Sequence, residues 1–420
     1  MTDTQEPTLV AIGPKGLPAP RRETRHQAAA RLGLRVADRR LLTVPVAVVA
    51  LVGLAAVAIA GALPSQVVAG KPNTRLGVTQ GTPYARTPAT AQPVDDRLVF
   101  GDLGPVAEQY PPEGDIYFVT VTEPAQSLLS WVLGRDHPAI EFLTREEKFG
   151  IRTPQQRRTF ALEQMRTSEQ VAQYVALQRV GYDVELLPGD VLIEEMVCLV
   201  PNDEGNECVT WAPSDAVLDP GDRIIEVDGV PIDGVEDLSA ALATRVPGDI
   251  IEMTIERAGT GPLTVEVPLT ASPDDADRTI VGFYPFDTRR VVLPFELDID
   301  TGSIGGPSAG LAFTLTLIDE LSPGELTGGR RVAVTGTIEL DGTVGPIGGL
   351  RQKAATVAQA GVEVFLVPAG QSDEDVAAAR LAGGDGLVII EVGTVEEAIE
   401  ALAGLGGDPL PPPPSSVPAG

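Results

Sequence analysis

The sequence is poor in several residue types that usually carry chemistry. Its 420 residues include two histidines, His26 and His137, two cysteines, and aromatics at only 4%. Lysine is scarce too: of 31 basic residues only Lys15, Lys71, Lys148 and Lys353 are lysines, and the rest are arginines. Two cysteines exclude a disulfide-dense scaffold. No G-x-x-x-x-G-K-[ST] occurs; the nearest stretch, SQVVAGKP, lacks the first glycine and the final hydroxyl, so no phosphate-binding loop and no ATP-driven step are expected. Nothing points to a cofactor or a metal. Positive charge is short as well, 59 Asp and Glu giving a net charge of -28. A body this acidic repels phosphate, so nucleic acid is excluded as a partner, and the charge serves solubility.

What is present is unevenly spread. Residues 1–40 are basic and polar, with eight Lys or Arg against four Asp or Glu, and read as a disordered tail. They precede LLTVPVAVVALVGLAAVAIAGA, residues 41–62, an uncharged apolar run of the length that spans a ~30 Å hydrocarbon core. Arg31, Arg35, Arg39 and Arg40 stand before it, and only Lys71 and Arg75 follow closely. The positive-inside bias therefore places the tail in the cytoplasm and the rest of the chain outside, on a single-pass transmembrane anchor. A cleaved leader is the competing reading, but the preceding basic segment is long for one. Outside the cytoplasm Cys198 and Cys208, flanking a turn-rich Asn-Asp-Glu-Gly-Asn stretch, can close a structural disulfide.

Beyond the anchor, residues 63–95 are rich in Pro, Thr, Gly and Gln and read as a linker. GDIYFVTVTE (114–123) has strand alternation, and a helix is expected from Thr153 to Val180. Residues 182–272 carry a β-rich pattern of strand, strand, helix, strand, strand. From 280 to 405 the pattern is α/β: a strand over VVLPFELDI, a buried helix over Ser308–Leu321, a strand over RVAVTGTIEL, then alternating helices and strands. The proline-rich end, 406–420, is expected to be disordered.

Ser308 lies in GSIGGPSAGLAF, within a G-x-S-x-G pattern like that of a hydrolase nucleophile elbow. Such an elbow needs a histidine downstream, and both histidines precede Ser308, which sets aside a lipase or esterase. His137 would need a different arrangement to serve. Arginine cannot shed its proton, whereas a desolvated lysine can. Lys353, in GLRQKAATVAQAG, is the only lysine after residue 148 and sits at the edge of an apolar helical stripe. A neutral amine beside a serine hydroxyl makes a Ser-Lys dyad.

Two resemblances follow from these stretches. LDPGDRIIEVDGVPIDGVEDLSAAL resembles the PDZ domains of bacterial proteases, which implies a groove that takes an extended peptide, with a carboxylate-binding loop at GYDVELLPGD (181–190). TGSIGGPSAGLAFTL, VAVTGTIELDGTVGPIGGLRQKAATVAQAG and VFLVP resemble the proteolytic domain of Lon proteases. That resemblance implies Ser308 as nucleophile, Lys353 as general base and Thr335 as the threonine that hydrogen-bonds the lysine. It extends weakly to MRTSEQVAQYVALQRVG, so residues 96–181 and 280–405 would form one proteolytic unit with the PDZ-like module between them. The fold class is thus an α/β (α+β) Lon-type proteolytic domain with a β-rich PDZ-like module, preceded by one transmembrane helix. The whole resembles the membrane-anchored, PDZ-containing Lon-like proteases of Gram-positive bacteria. It implies an ATP-independent endopeptidase acting on unfolded or exposed polypeptides outside the cytoplasm, with a homo-oligomeric ring possible. The rival is a membrane-tethered, catalytically silent PDZ binding protein.

Overall fold

The computed structural model describes residues 39–73, 78–149, 153–201 and 208–410, with side chains in the first helix from Val46 on. The basic tail as far as residue 38, His26 within it, and residues 411–420 lie outside the described residues. The chain divides after Ala62 into two units.

The first unit contributes helix α1, Arg39–Ala62. Its apolar side chains are exposed, Val49 at 72% and Leu54 at 71%. Among the described residues no helix is long and apolar enough to cross a membrane, so the span expected at 41–62 is not found as such.

The second unit starts with strands β1 (Tyr84–Pro93), β2 (Asp115–Thr122) and β3 (Glu141–Leu143). Helix α2 (Pro154–Arg179) follows, where Thr153 and Gln156 form a reciprocal capping box with Pro154 in the first turn. Next come β4 (Glu185–Met196), β5 (Arg223–Val227), α3 (Val235–Leu242), β6 (Ile250–Arg257), β7 (Gly261–Pro268) and β8 (Phe283–Val292). The chain then forms α4 (Gly310–Leu321), β9 (Arg331–Val334), α5 (Leu350–Gln359), β10 (Val364–Pro368), α6 (Asp373–Gly383), β11 (Val388–Val392) and α7 (Val395–Gly404).

Two six-stranded sheets organise this unit. One runs β11-β10-β9-β2-β1-β3. Its strands β2, β9, β10 and β11 are parallel, Val334 pairing with both Phe118 and Leu366. The other is antiparallel, β7-β6-β5-β4-β8, with Val230–Pro231 beside β5. The parallel strand β10 is buried at every position, as apolar strands covered on both faces are. Helix α4 is buried along its whole length between α2 and the first sheet, with Phe313 against Phe118.

Several expectations are corrected. Residues 84–93, expected in a linker, form β1, because pairing with β2 satisfies a backbone that composition alone leaves free. The strand expected over VVLPFELDI breaks after Val292, since Pro294 offers no N–H to a ladder, and a short strand resumes at Leu297–Ile299. The loop expected at GYDVELLPGD is instead mostly strand: β4 begins at Glu185, and Leu186–Pro188 pair with Arg289–Val291. Of the tail expected to be disordered, residues 406–410 are held down, with Asp408 N–H donating to Glu325 O at 2.8 Å.

Candidate active site

The strand expected over RVAVTGTIEL is interrupted at Thr335–Gly336, and this interruption builds the site. Thr335 still donates its N–H to Leu366 O (3.0 Å), while Gly336, at φ 159°, turns its N–H to Ser308 O (2.9 Å). The Thr335 hydroxyl donates to the same Ser308 carbonyl at 2.9 Å. Ser308 is thereby pinned at the entrance to α4, where Leu311 N–H returns a bond to Gly336 O.

Helix α5 supplies the third group. Gly349 precedes it with φ +73°, a left-handed conformation that suits glycine, and this aims the first turn back toward β9. Lys353, 2% exposed, reaches from that turn with Nζ 2.6 Å from Ser308 Oγ and 2.8 Å from Thr335 Oγ1. Burial pushes its ammonium down to about 7 from the ordinary 10.5. Thr335 Oγ1 accepts from the amine while its own proton is committed to Ser308 O. A neutral Lys353 therefore keeps its lone pair free to accept from Ser308 Oγ–H.

Sequence reasoning missed the support beneath the nucleophile, which comes from α2. Ser168 Oγ donates to Pro307 O at 3.0 Å, and Gly306 N–H donates to Ala161 O at 2.7 Å. Ser168 looks like an ordinary helical serine in sequence; only its burial against Gly310, where an added Cβ would come within 2.7 Å of its oxygen, reveals the role. Farther back, Thr301 donates to Glu169 at 2.6 Å and fixes the start of the loop. Burial, reinforced by Asp298 and Asp300, pushes the Glu169 carboxyl up to about 7, against the Thr301 hydrogen bond and Arg166. The Ser308 and Ala309 amides make no hydrogen bond among the described residues and are available to a developing oxyanion.

Ser308 and Lys353 open into a cavity of about 520 Å³ between β1, β2 and α2. A larger cavity, about 700 Å³, lies away from them beside α3 and β8, lined by Leu238, Leu242, Val281, Phe283 and Tyr284. His137 is not at the site; its Nδ1 accepts from Ala139 N–H in its own turn. Cys198 and Cys208 are joined by a disulfide across a hairpin remote from the dyad. Among the described residues no group of His, Cys, Asp or Glu is placed to hold a metal.

Two stretches of the chain match known families. Residues 297–403 match the profile of the Lon protease (S16) C-terminal proteolytic domain, and residues 210–256 match the PDZ domain. Among curated proteins the chain is similar to the Lon protease of Ureaplasma parvum serovar 3, 28% identical over 140 residues, covering 30% of this chain and 17% of that protein. It is also similar to the Lon proteases of Metamycoplasma arthritidis (41% over 89 residues, 21% and 10% covered) and Phenylobacterium zucineum (44% over 70 residues, 16% and 9%). The chain thus spans less than a fifth of the length of these relatives. Among solved structures, the PDZ domain of the SdrC-like protein from Listeria monocytogenes is 19% identical, covering 23% of this chain and 85% of that chain at a TM-score of 0.17. Its counterpart from Listeria innocua is 17% identical, covering 22% and 93% at a TM-score of 0.16.

Proposed function

We propose that this chain is a serine endopeptidase whose nucleophile is Ser308 and whose general base is Lys353. The observation that carries this reading is the 2.6 Å approach of a fully desolvated lysine amine to a serine hydroxyl on a glycine-rich loop. Neutral Lys353 takes the Ser308 proton as Oγ attacks the scissile carbonyl carbon. The oxyanion is met by the Ser308 and Ala309 amides. Collapse breaks the C–N bond, the lysine ammonium protonates the leaving amine, and an ester remains on Ser308. Water, deprotonated by Lys353, attacks that ester; the C–O bond to Ser308 breaks, the lysine ammonium returns the proton to Ser308 Oγ, and the acid leaves. Thr335 holds the amine in line throughout and offers an oxygen to the ammonium when it forms.

The reading extends to the whole chain. With no nucleotide-binding loop in the sequence, the enzyme acts without ATP and takes unfolded or exposed polypeptide segments. The apolar cavity beside α3 presents such segments to the cleft. The exposed apolar side chains of α1 anchor the chain in the cell membrane, with the proteolytic part outside the cytoplasm, where a disulfide persists. Copies assemble as a ring.

The test is degradation of a disordered protein such as casein, without ATP, by purified full-length chain in detergent. Cutting that disappears in Ser308→Ala and in Lys353→Met supports the proposal. Equal cutting by wild type and Ser308→Ala overturns it in favour of a silent binding protein.

A further inference from the structure

The catalytic cleft carries a charge opposite to that of the molecule around it. The chain has a formal net charge of -28, yet the cavity holding Ser308 is lined by Arg86, Arg157 and Arg158 and a single carboxylate, Glu123. Glu123 is fully engaged: Oε1 accepts from Arg86 Nε at 2.9 Å and Oε2 from Arg157 Nη1 at 2.7 Å. Burial alone would raise its carboxyl, but the hydrogen bonds and charges of Arg157 and Arg86 hold it below the ordinary carboxylate range. Arg86 has a second partner in Glu141, Nη1 to Oε2 at 3.2 Å. Arg158 is different. It lies on α2 beside these pairs, is exposed to the cleft, and has no ion-pair partner among the described residues.

An unpartnered arginine facing a cavity already short of carboxylate is a point where the field of the cleft concentrates. A guanidinium offers a planar fork of donors that matches a carboxylate. The backbone beyond it leads to Ser308 along the same helix, since Ala161, one turn after Arg157 and Arg158, accepts from Gly306 N–H in the nucleophile loop.

We infer that Arg158 is a specificity residue that binds a substrate carboxylate near the scissile bond, so that the cleft favours acidic polypeptide segments. The carboxylate is either an Asp or Glu side chain or the terminal carboxylate of the peptide. This rests on the peptidase reading of the same site.

The experiment uses the full chain and internally quenched peptides of one sequence, varied to Asp, Asn or Arg at positions flanking the cut, each with a free or amidated C-terminus. The expected result is kcat/KM for the Asp peptide about fivefold above Asn and higher still above Arg, carried by KM and weakened by salt. Arg158→Glu inverts the order of the Asp and Arg peptides. Loss of the preference on amidation assigns the carboxylate to the terminus; its persistence assigns it to the side chain. Equal rates for all three peptides, or an Arg158→Glu loss shared equally among them, overturns the inference and leaves the peptidase reading standing. Calorimetric binding of the same peptides to Ser308→Ala tests the carboxylate preference without turnover. If no peptide is cut but Asp is still bound more tightly than Asn, the peptidase reading fails and the binding inference holds; equal binding overturns it.

Discussion

At Lys353 the burial that makes a base also opposes folding. The unfolded lysine titrates near 10.5 and the folded one near 7, so between those values the unfolded chain binds more protons and stability rises with pH. Lys353→Met is therefore expected to lower kcat by about 10²–10⁴ while raising stability at pH 6 by about 1–3 kcal/mol, a gain that shrinks toward pH 10. Peptidase assays and urea melts at the two pH values check both halves. Wild-type kcat/KM should rise as pH passes through about 7, where the amine becomes neutral. Thr335→Val should lower kcat about tenfold by freeing the amine from its aim, and Thr335→Ser should restore it. Asp319, 2% exposed at the end of α4, has the opposite sign. Burial first, with Glu325 and Glu320, pushes its carboxyl up to about 7 against the Leu326 N–H bond. The stability it contributes is fully present below about 4 and is lost as pH rises through about 7. Asp319→Asn should thus raise the Tm most at pH 8, less at pH 5, and hardly at all below about pH 4, as read by calorimetry.

At the scale of elements, what could be read from sequence was whatever local pattern decides. The capped start of α2 at Thr153, the turn at Asp341–Gly342 and the apolar strand β10 all follow from residues adjacent in the chain. Ser308 and Lys353 were legible because scarcity narrowed the choice: no downstream histidine, and one lysine after residue 148. The interruption at Thr335–Gly336 was not, since RVAVTGTIEL alternates like an unbroken strand and only the Ser308 carbonyl pulls it open. Strand β1 was hidden for the same reason, its pairing being with β2 and β3 rather than with near neighbours. Arg158 and Ser168 become notable only when α2 lies against the nucleophile loop. The hairpin closed by Cys198 and Cys208 is an independent element. Replacing both with serine should cost about 2 kcal/mol in a denaturant melt, by loop entropy, and leave peptidase activity intact.

For the whole molecule, the two sheets share a boundary rather than a linker. Val184, just before β4, and Val291 of β8 belong to the core around α4, whereas Val191 of β4 and Phe283 of β8 belong to the core of the antiparallel sheet. Phe160 of α2 meets Phe286 of β8 edge to face. The parallel sheet itself is assembled from β2 and β9, far apart in the chain, so its closure is expected to be late in folding. Yet the chain enters and leaves the antiparallel sheet at one place: Glu185, the first residue of β4, is paired with Val292, the last of β8. Two neighbouring ends make a cassette. A short Gly-Ser turn in place of residues 187–290 would span the gap and keep Leu186 paired with Val291, which stays in the core around α4, and an unrelated domain could be spliced at the same joint. The pairing of two residues thus makes the antiparallel sheet a piece that could be exchanged as a unit.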